Sequence, residues 1–321
     1  MVKIQAIAQG NKAYANERNA GLVFVFAGAT SGIGASTLEK LASMVESATF
    51  HIIGRSVSRF ATQHSKLSNI NPNLTIHFFE GDPSLLSDID AFSQRIKTTS
   101  QKVDYLFLSP GLLPMAGPHY TKETLELCFA LSYYSRLRLT SNLFPHLLAS
   151  PRPRILSVLN GGKEKPLIED DLGLVTRWTP TAVIAQTTTL TTLAFEHLAS
   201  QHKDITFLHV YPGLVRTGIF SNLVAPQGAG VWERVKLALL RGVFGVLAWV
   251  LGANPEVAGE RCAYVLTSPT YGPGVWLVNE VGDLVALSGV LSKYKESGWP
   301  EKVWGFTLGV FEAVLGKDAV V

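Results

Sequence analysis

Leu22-Val23-Phe24-Val25-Phe26-Ala27-Gly28-Ala29-Thr30-Ser31-Gly32-Ile33-Gly34 decides the fold of this chain. Leu22 to Ala27 are apolar without alternation, as in a strand buried on both faces. They run into glycines with separate tasks. Gly28 allows the strand to turn tightly, Gly32 lets backbone N–H groups approach a pyrophosphate, and Gly34 lets the next helix pack closely on the strand. Thr30, Ser31 and Ile33 complete the turn, and the start of the helical stretch Ala35 to Val45 faces the anion. A glycine pattern alone is weak; the strand before it and the helix after it supply the context that gives it meaning. The stretch reads as a dinucleotide-binding turn.

Outward from it, short β-branched and aromatic runs alternate with longer helical patterns. Strands fall near 22–27, 50–53, 74–79, 103–108, 154–159 and 205–211. That rhythm predicts an α/β fold, a doubly wound parallel sheet of the Rossmann type. Clefts in such sheets open at the carboxyl ends of the strands, and the longest irregular stretches, about 160–180 and 212–231, follow the fifth and sixth strands. The 321 residues read as a single domain, 1–321: a Rossmann core over 20–280 that includes a lid at 212–252, and a C-terminal helical extension over 281–321. Val275 to Val278, Gly282-Asp283 and Leu284 to Ala286 predict a late strand and hairpin, and the last stretch predicts one or two helices packed on the outside. Val231 to Gly252 is strongly apolar, but Lys236 and Arg241 interrupt it, and its unbroken part falls short of the ~20 residues a membrane span needs. It reads as a buried or lid helix over an apolar pocket, with docking to a membrane surface as the alternative.

Composition excludes several classes. The net charge of +3 is spread along the chain, and its densest basic group, Arg152 and Arg154, is too small for a nucleic-acid footprint. Cys128 and Cys262 lack the spacing of a disulfide framework or a metal site, so no metal is expected. Met1 to Asn19 is polar without the apolar core of a signal peptide, and Lys317 to Val321 matches no targeting or prenylation signal. The expectation is a cytoplasmic protein.

Ala27 to Gly34 resembles the TGxxxGIG turn of the short-chain dehydrogenase/reductase family, and other stretches follow in the family's order. Asp82 stands after the third strand, where the family's acidic residue meets adenine. Ser109-Pro110-Gly111 replaces its Asn-Ala-Gly, and Tyr211-Pro212-Gly213-Leu214-Val215-Arg216-Thr217 resembles its PGxVxT element beside the nicotinamide. Leu193-Ala194-Phe195-Glu196 resembles its LAxE helix segment. The resemblance covers roughly 20–280 and implies a nicotinamide cofactor held by Gly28, Thr30, Ser31, Gly32, Ile33, Gly34, Asp82, Ser109, Pro110, Gly111, Pro212, Gly213, Val215 and Thr217. At the end of the second strand stands Arg55, where a carboxylate would select a ribose 2′-OH and an arginine accommodates a 2′-phosphate; NADP(H) is therefore expected. The family's dimers and tetramers use helices corresponding to about 121–149 and 180–200, so the resemblance leaves a homo-oligomer open.

Carbonyl reduction also needs a positioned proton donor at the developing alkoxide. The family uses a YxxxK pair with a serine and a helical asparagine. Aligned backwards from Leu193-Ala194-Phe195-Glu196, the tyrosine place holds Thr179 and the lysine place Val183, and no tyrosine occurs between Tyr134 and Tyr211. The serine place falls on Leu159 or Asn160 and the asparagine place near Ser132. The candidates for the catalytic groups are Asn160 and Lys163 after the fifth strand, Ser132 and Tyr133 on the flanking helix beside Tyr134 and Arg136, and Tyr211 next to the nicotinamide element. A turn residue, two core positions and a packing residue are the bland alternatives.

Three functions compete. The first is an NADP(H)-dependent oxidoreductase with a non-standard active site, acting on a hydrophobic secondary-metabolite intermediate. Tyr133-Tyr134-Ser135-Arg136, Gly161-Gly162-Lys163-Glu164 and Thr191 to Leu198 resemble divergent fungal reductases of natural-product pathways. The second is a non-redox cyclase or isomerase on the same scaffold. The third is a cofactor-sensing protein.

Overall fold

The computed structural model describes residues 4–115, 117–218, 230–232, 235, 238–239, 242 and 252–316. Its centre is a seven-stranded sheet in the order β3-β2-β1-β4-β5-β6-β7 with every pair parallel. The strands are β1 (Leu22–Ala27), β2 (Ala48–Gly54), β3 (Leu74–Glu80), β4 (Tyr105–Leu108), β5 (Arg154–Val158), β6 (Thr206–Val210) and β7 (Gly274–Val278). The order reverses between β1 and β4, the switch point at which a doubly wound sheet opens a crevice. β4, β5 and β6 are buried along their whole length, which is why their sequences carry little alternation.

Helices cover both faces. On one lie α1 (Ile4–Asn16), α2 (Gly32–Ala42), α3 (Val57–Ile70) and α9 (Pro255–Thr267), sharing a core with Phe24, Phe26, Phe50 and Leu208. On the other lie α4 (Leu86–Thr99), a helical run made of α5 (Leu127–Phe129), a π-turn (Ala130–Tyr134) and α6 (Ser135–Asn142), then α7 (Phe144–Leu148) and α8 (Pro180–Gln201). α10 (Gly289–Glu296) and α11 (Trp299–Leu315) pack over this second face, where Val303 and Phe311 are completely buried.

The architecture is the α/β, doubly wound one expected, with a C-terminal helical extension. The hairpin forms after β7, where Val285 N–H donates to Leu277 O at 2.8 Å. β4 begins at Tyr105, two residues later than the apolar run suggests, although Asp104 already bonds both neighbouring strands, its N–H donating to Val23 O at 2.9 Å and its O accepting from Arg154 N–H at 3.0 Å. Its carboxylate accepts from Val23 N–H at 2.9 Å and from the Ser150 hydroxyl at 2.6 Å. The sequence does not announce α1: its composition is polar, yet Ile7, Asn11 and Tyr14 are buried, and Asn11 Nδ2 donates to Glu260 O at 3.0 Å. The lid at 212–252 falls largely outside the described residues. Within it, Val231, Trp232, Val235 and Leu239 lie on helical backbone and are exposed, not buried. Among the described residues, no helix is long and apolar enough to cross a membrane, and no group of His, Cys, Asp or Glu is arranged to hold a metal ion.

Candidate active site

The glycine turn has the geometry that only these residues allow. Gly28 has φ +82°, and a Cβ there would overlap the Pro110 nitrogen; a Cβ on Gly34 would overlap Gly28 O. The Ser109 hydroxyl donates to Gly28 O at 2.9 Å, tying the end of β4 to the turn after β1. Ser31 is the N-cap of α2 but makes no side-chain bond to it, so the first N–H groups of the helix keep their capacity for an outside acceptor.

Neighbouring strand ends close on this turn. A Cβ on Gly32 would lie 3.0 Å from the Thr217 methyl, which brings the Pro212-Gly213-Leu214-Val215-Arg216-Thr217 element against it; Val215 beneath is buried and bridged to Ala253. A Cβ on Gly54 would lie 2.7 Å from the Thr30 methyl, so the end of β2, with Arg55 next in the chain, lies against the turn. Arg55 is exposed and pairs with no carboxylate among the described residues. Gly81 N–H donates to Gly54 O at 2.9 Å and carries the third strand end into the same edge. There the Asp82 carboxylate accepts from the Ser84 N–H and hydroxyl at 2.9 and 2.8 Å, while Asp82 N–H donates to Asp88. Uncapped amides and a turn that side chains would fill suit the phosphates of a nicotinamide dinucleotide.

The other half of the crevice lies over β4, β5 and β6. Arg136 is completely buried under its mouth. Nε donates to Leu131 O at 3.0 Å; Nη1 donates to the Ser157 hydroxyl at 2.7 Å and Val158 O at 2.8 Å; Nη2 donates to Pro110 O. The guanidinium thereby clamps the ends of β4 and β5 together. No carboxylate is bonded to it, and burial pulls its pKa down to about 9, so it stays charged at neutral pH. Gly111 sits just above, its Cβ position 3.8 Å from Nη2.

Asn160 stands half-buried at the end of β5, its Nδ2 donating to the Thr188 hydroxyl at 3.3 Å. Lys163, two residues past Gly161, holds its ammonium over the Tyr211 ring at 5.0 Å, so three of the sequence candidates meet at the mouth between β5 and β6. Ser132 lies in the π-turn, an element common at functional sites, but is buried beside Cys128 Sγ at 3.7 Å. Tyr133 is not brought to the crevice: it is fully buried, and its hydroxyl is taken by Thr307 of α11 at 2.6 Å. Burial raises its phenol pKa far above the ordinary range. Thr179, at the family's tyrosine place, is the N-cap of α8 and accepts from Ala182 N–H at 3.0 Å, and Val183, at the lysine place, is in the core.

Sequence reasoning missed the groups behind this mouth. Glu164, Thr192 and His209 are buried and bonded to one another. Burial first, and the charge of Arg136 second, lower the His209 pKa to about 3, so its imidazole is neutral. Glu164 and Thr192 lie in stretches that resemble the fungal reductases, but the sequence does not mark their side chains as partners, and nothing in it marks His209, on a segment that reads as apolar core.

Residues 22–169 match the family described as short chain dehydrogenase. An oxidoreductase of Emericella nidulans, AN1596, is 35% identical over 98% of both chains. Oxidoreductase lepF of Aspergillus flavus is 33% identical over 99% of both chains. Among solved structures, a short-chain dehydrogenase from Streptomyces avermitilis shares the fold with a TM-score of 0.57 and 19% identity, covering 90% of this chain and 97% of that one.

Proposed function

Since this chain belongs to the short-chain dehydrogenase family and is an oxidoreductase of that family, we propose that it uses NADP(H) to reduce or oxidise a hydrophobic secondary-metabolite intermediate. The observation that carries the choice of cofactor is Arg55, an exposed residue without a carboxylate partner among the described residues, next in the chain to Gly54, which packs on Thr30 of the glycine turn. Gly28 to Gly34, Asp82, Ser109 to Gly111 and Pro212 to Thr217 would hold the rest of the dinucleotide. When bound, the nicotinamide supplies or accepts the hydride.

On the chain's side, Asn160 offers its remaining amide hydrogen to a substrate oxygen. Lys163 places a positive charge at the same mouth, held over Tyr211. Arg136 lies deeper and acts by fixing the backbone that carries these groups. The resemblance of the Tyr133 to Arg136 and Gly161 to Glu164 stretches to divergent fungal reductases supports an apolar natural product as substrate. The two buried free cysteines support a reducing, cytoplasmic setting.

A second reading has an observation of its own. With Thr179 and Val183 in the places of the family's acid and its lysine, a non-redox cyclase or isomerase on this scaffold needs no proton donor of that kind. One experiment separates the two. Purified protein is titrated with NADPH and NADH by nicotinamide fluorescence, then incubated with a fungal pathway extract with and without NADPH. Preferential NADPH binding together with product that depends on NADPH is the expected result. Product formed equally without cofactor would establish the non-redox reading.

A further inference from the structure

Under the loop that follows β5 runs a chain of hydrogen bonds that the chemistry above does not use. The Thr192 hydroxyl, from α8, donates to Glu164 Oε1 at 2.7 Å, and the same oxygen accepts from Gly162 N–H at 3.0 Å. Thr192 Oγ1 also lies 2.8 Å from His209 Nδ1, and His209 Nε2 lies 3.4 Å from Asn160 N. A hydroxyl has one hydrogen, and here it goes to the carboxylate. His209 Nδ1 must therefore donate to Thr192, and Nε2, left bare, accepts from Asn160 N–H. The bonds run from Asn160 N–H through His209 and Thr192 to Glu164, where Gly162 N–H donates from the other side, so the chain leaves the loop at the end of β5, passes through β6 and α8, and returns to it.

We propose that Glu164, Thr192 and His209 are positioning residues: they clamp the Asn160–Glu164 loop, and so set where the Asn160 amide and Lys163 stand relative to the cofactor half of the site. The assignment of Asn160 and Lys163 to the substrate rests on the function proposed above; the clamp itself does not.

The energetics argue against simple packing. Side chains of Glu164 and His209 are fully buried, and Glu164 Oε2 has no partner among the described residues, which costs about 1–3 kcal/mol for an unsatisfied group and more for a charged one. Apolar residues of similar volume would fill this space without that cost. What the polar chain provides instead is geometry. Both of its ends are backbone amides of the loop, Asn160 and Gly162, and Gly161 between them packs so closely on His209 O that no side chain fits. Asn160 N–H is held from β6 by His209, and Gly162 N–H by Glu164 of the loop itself, whose carboxylate is in turn fixed by Thr192 of α8. Asn160 is oriented further by Thr188, one helical turn before Thr192.

The test compares the wild type with Thr192→Val, which removes the relay hydroxyl at nearly constant volume, and Thr192→Ser, which restores it. In ¹⁵N-detected histidine spectra the wild type should show the Nδ1–H tautomer, and Thr192→Val should lose it. Amide exchange at Asn160 and Gly162 should quicken by about tenfold or more in Thr192→Val while β5 and β6 amides hold, and Thr192→Ser should return both. With NADPH and a panel of polycyclic ketones, Thr192→Val should lower kcat by about tenfold or more and leave the KM for NADPH within about twofold. An Nε2–H tautomer in the wild type, or unchanged exchange or unchanged kcat in Thr192→Val, would overturn the proposal. A wild type that binds no NADPH and turns over no ketone would sink the functional reading instead, while tautomer and exchange would still decide the clamp.

Discussion

Arg55 is the residue on which the choice of cofactor turns. Its guanidinium has no partner to compensate among the described residues, so Arg55→Asp should leave the fold unchanged and remove a charge-assisted phosphate contact of about 1.5–3 kcal/mol. NADPH should then bind about 10- to 150-fold more weakly in calorimetry, with NADH changed little; equal loss for both would show that Arg55 does not read the 2′-phosphate. Tyr133→Phe makes the opposite point. It loses the bond to Thr307 and should lower stability by about 1 kcal/mol in urea unfolding, yet leave NADPH-dependent turnover near that of the wild type. A turnover collapse would return Tyr133 to the chemistry. At this scale the sequence is most legible where backbone geometry dictates the residue. Gly28, Gly34 and Ser109 are readable because a turn and a close approach admit few alternatives. Arg136 and His209 are not, because what distinguishes them is burial, and a charge or imidazole reads the same on paper whether it faces water or a core.

Among the elements, α11 carries a load that its late position hides. Thr307 bonds Tyr133, Phe311 is completely buried beneath the Arg138 guanidinium at 5.6 Å, and the Trp304 ring stacks on His197 of α8. Phe311→Ala should therefore cost about 3–5 kcal/mol in denaturant unfolding, as for a core aromatic and not for a surface tail. A loss below about 1 kcal/mol would mean that α11 is only loosely laid on. The strands were legible to within a residue or two, most of them because their apolar runs are buried on both sides; β3 and β7, at the edges and only partly buried, were legible from their β-branched and aromatic residues. α1 was not, since its buried face is only Ile7, Asn11 and Tyr14, too sparse a stripe to separate from a polar leader. The π-turn also escaped notice, because a one-residue widening of a helix leaves no periodic trace over so short a run.

For the whole molecule, buried histidines set the acid limit. His209 is held neutral to about 3 and His51, mainly by burial, to about 4, against an ordinary value near 6.5. Below about pH 6.5 the unfolded chain takes up protons that the folded chain refuses, so stability present at neutral pH is lost on acidification, by about 1.4 kcal/mol per pH unit for each group. Urea unfolding at pH 7.5, 6 and 5 should show this decline, and His209→Gln should make it shallower; a flat profile would mean that these imidazoles are open to solvent. The doubly wound sheet and the cofactor edge follow from the chain's rhythm and its strand-end motifs, and Asn160, Lys163 and Tyr211 were legible as candidates, whereas the meeting of the Lys163 ammonium with the Tyr211 ring needed the fold itself, because the loop after β5 and the end of β6 are far apart in the chain. The 17 residues of α11 pack across the stretches about 121–149 and 180–200 through which the family resemblance would join subunits, meeting Tyr133, Arg138 and His197 there. The chain brings its own covering partner, joined by a short linker and so present at a fixed local concentration however dilute the solution. Dilution cannot strip that surface bare, and a second copy seeking it must first displace a competitor that never diffuses away.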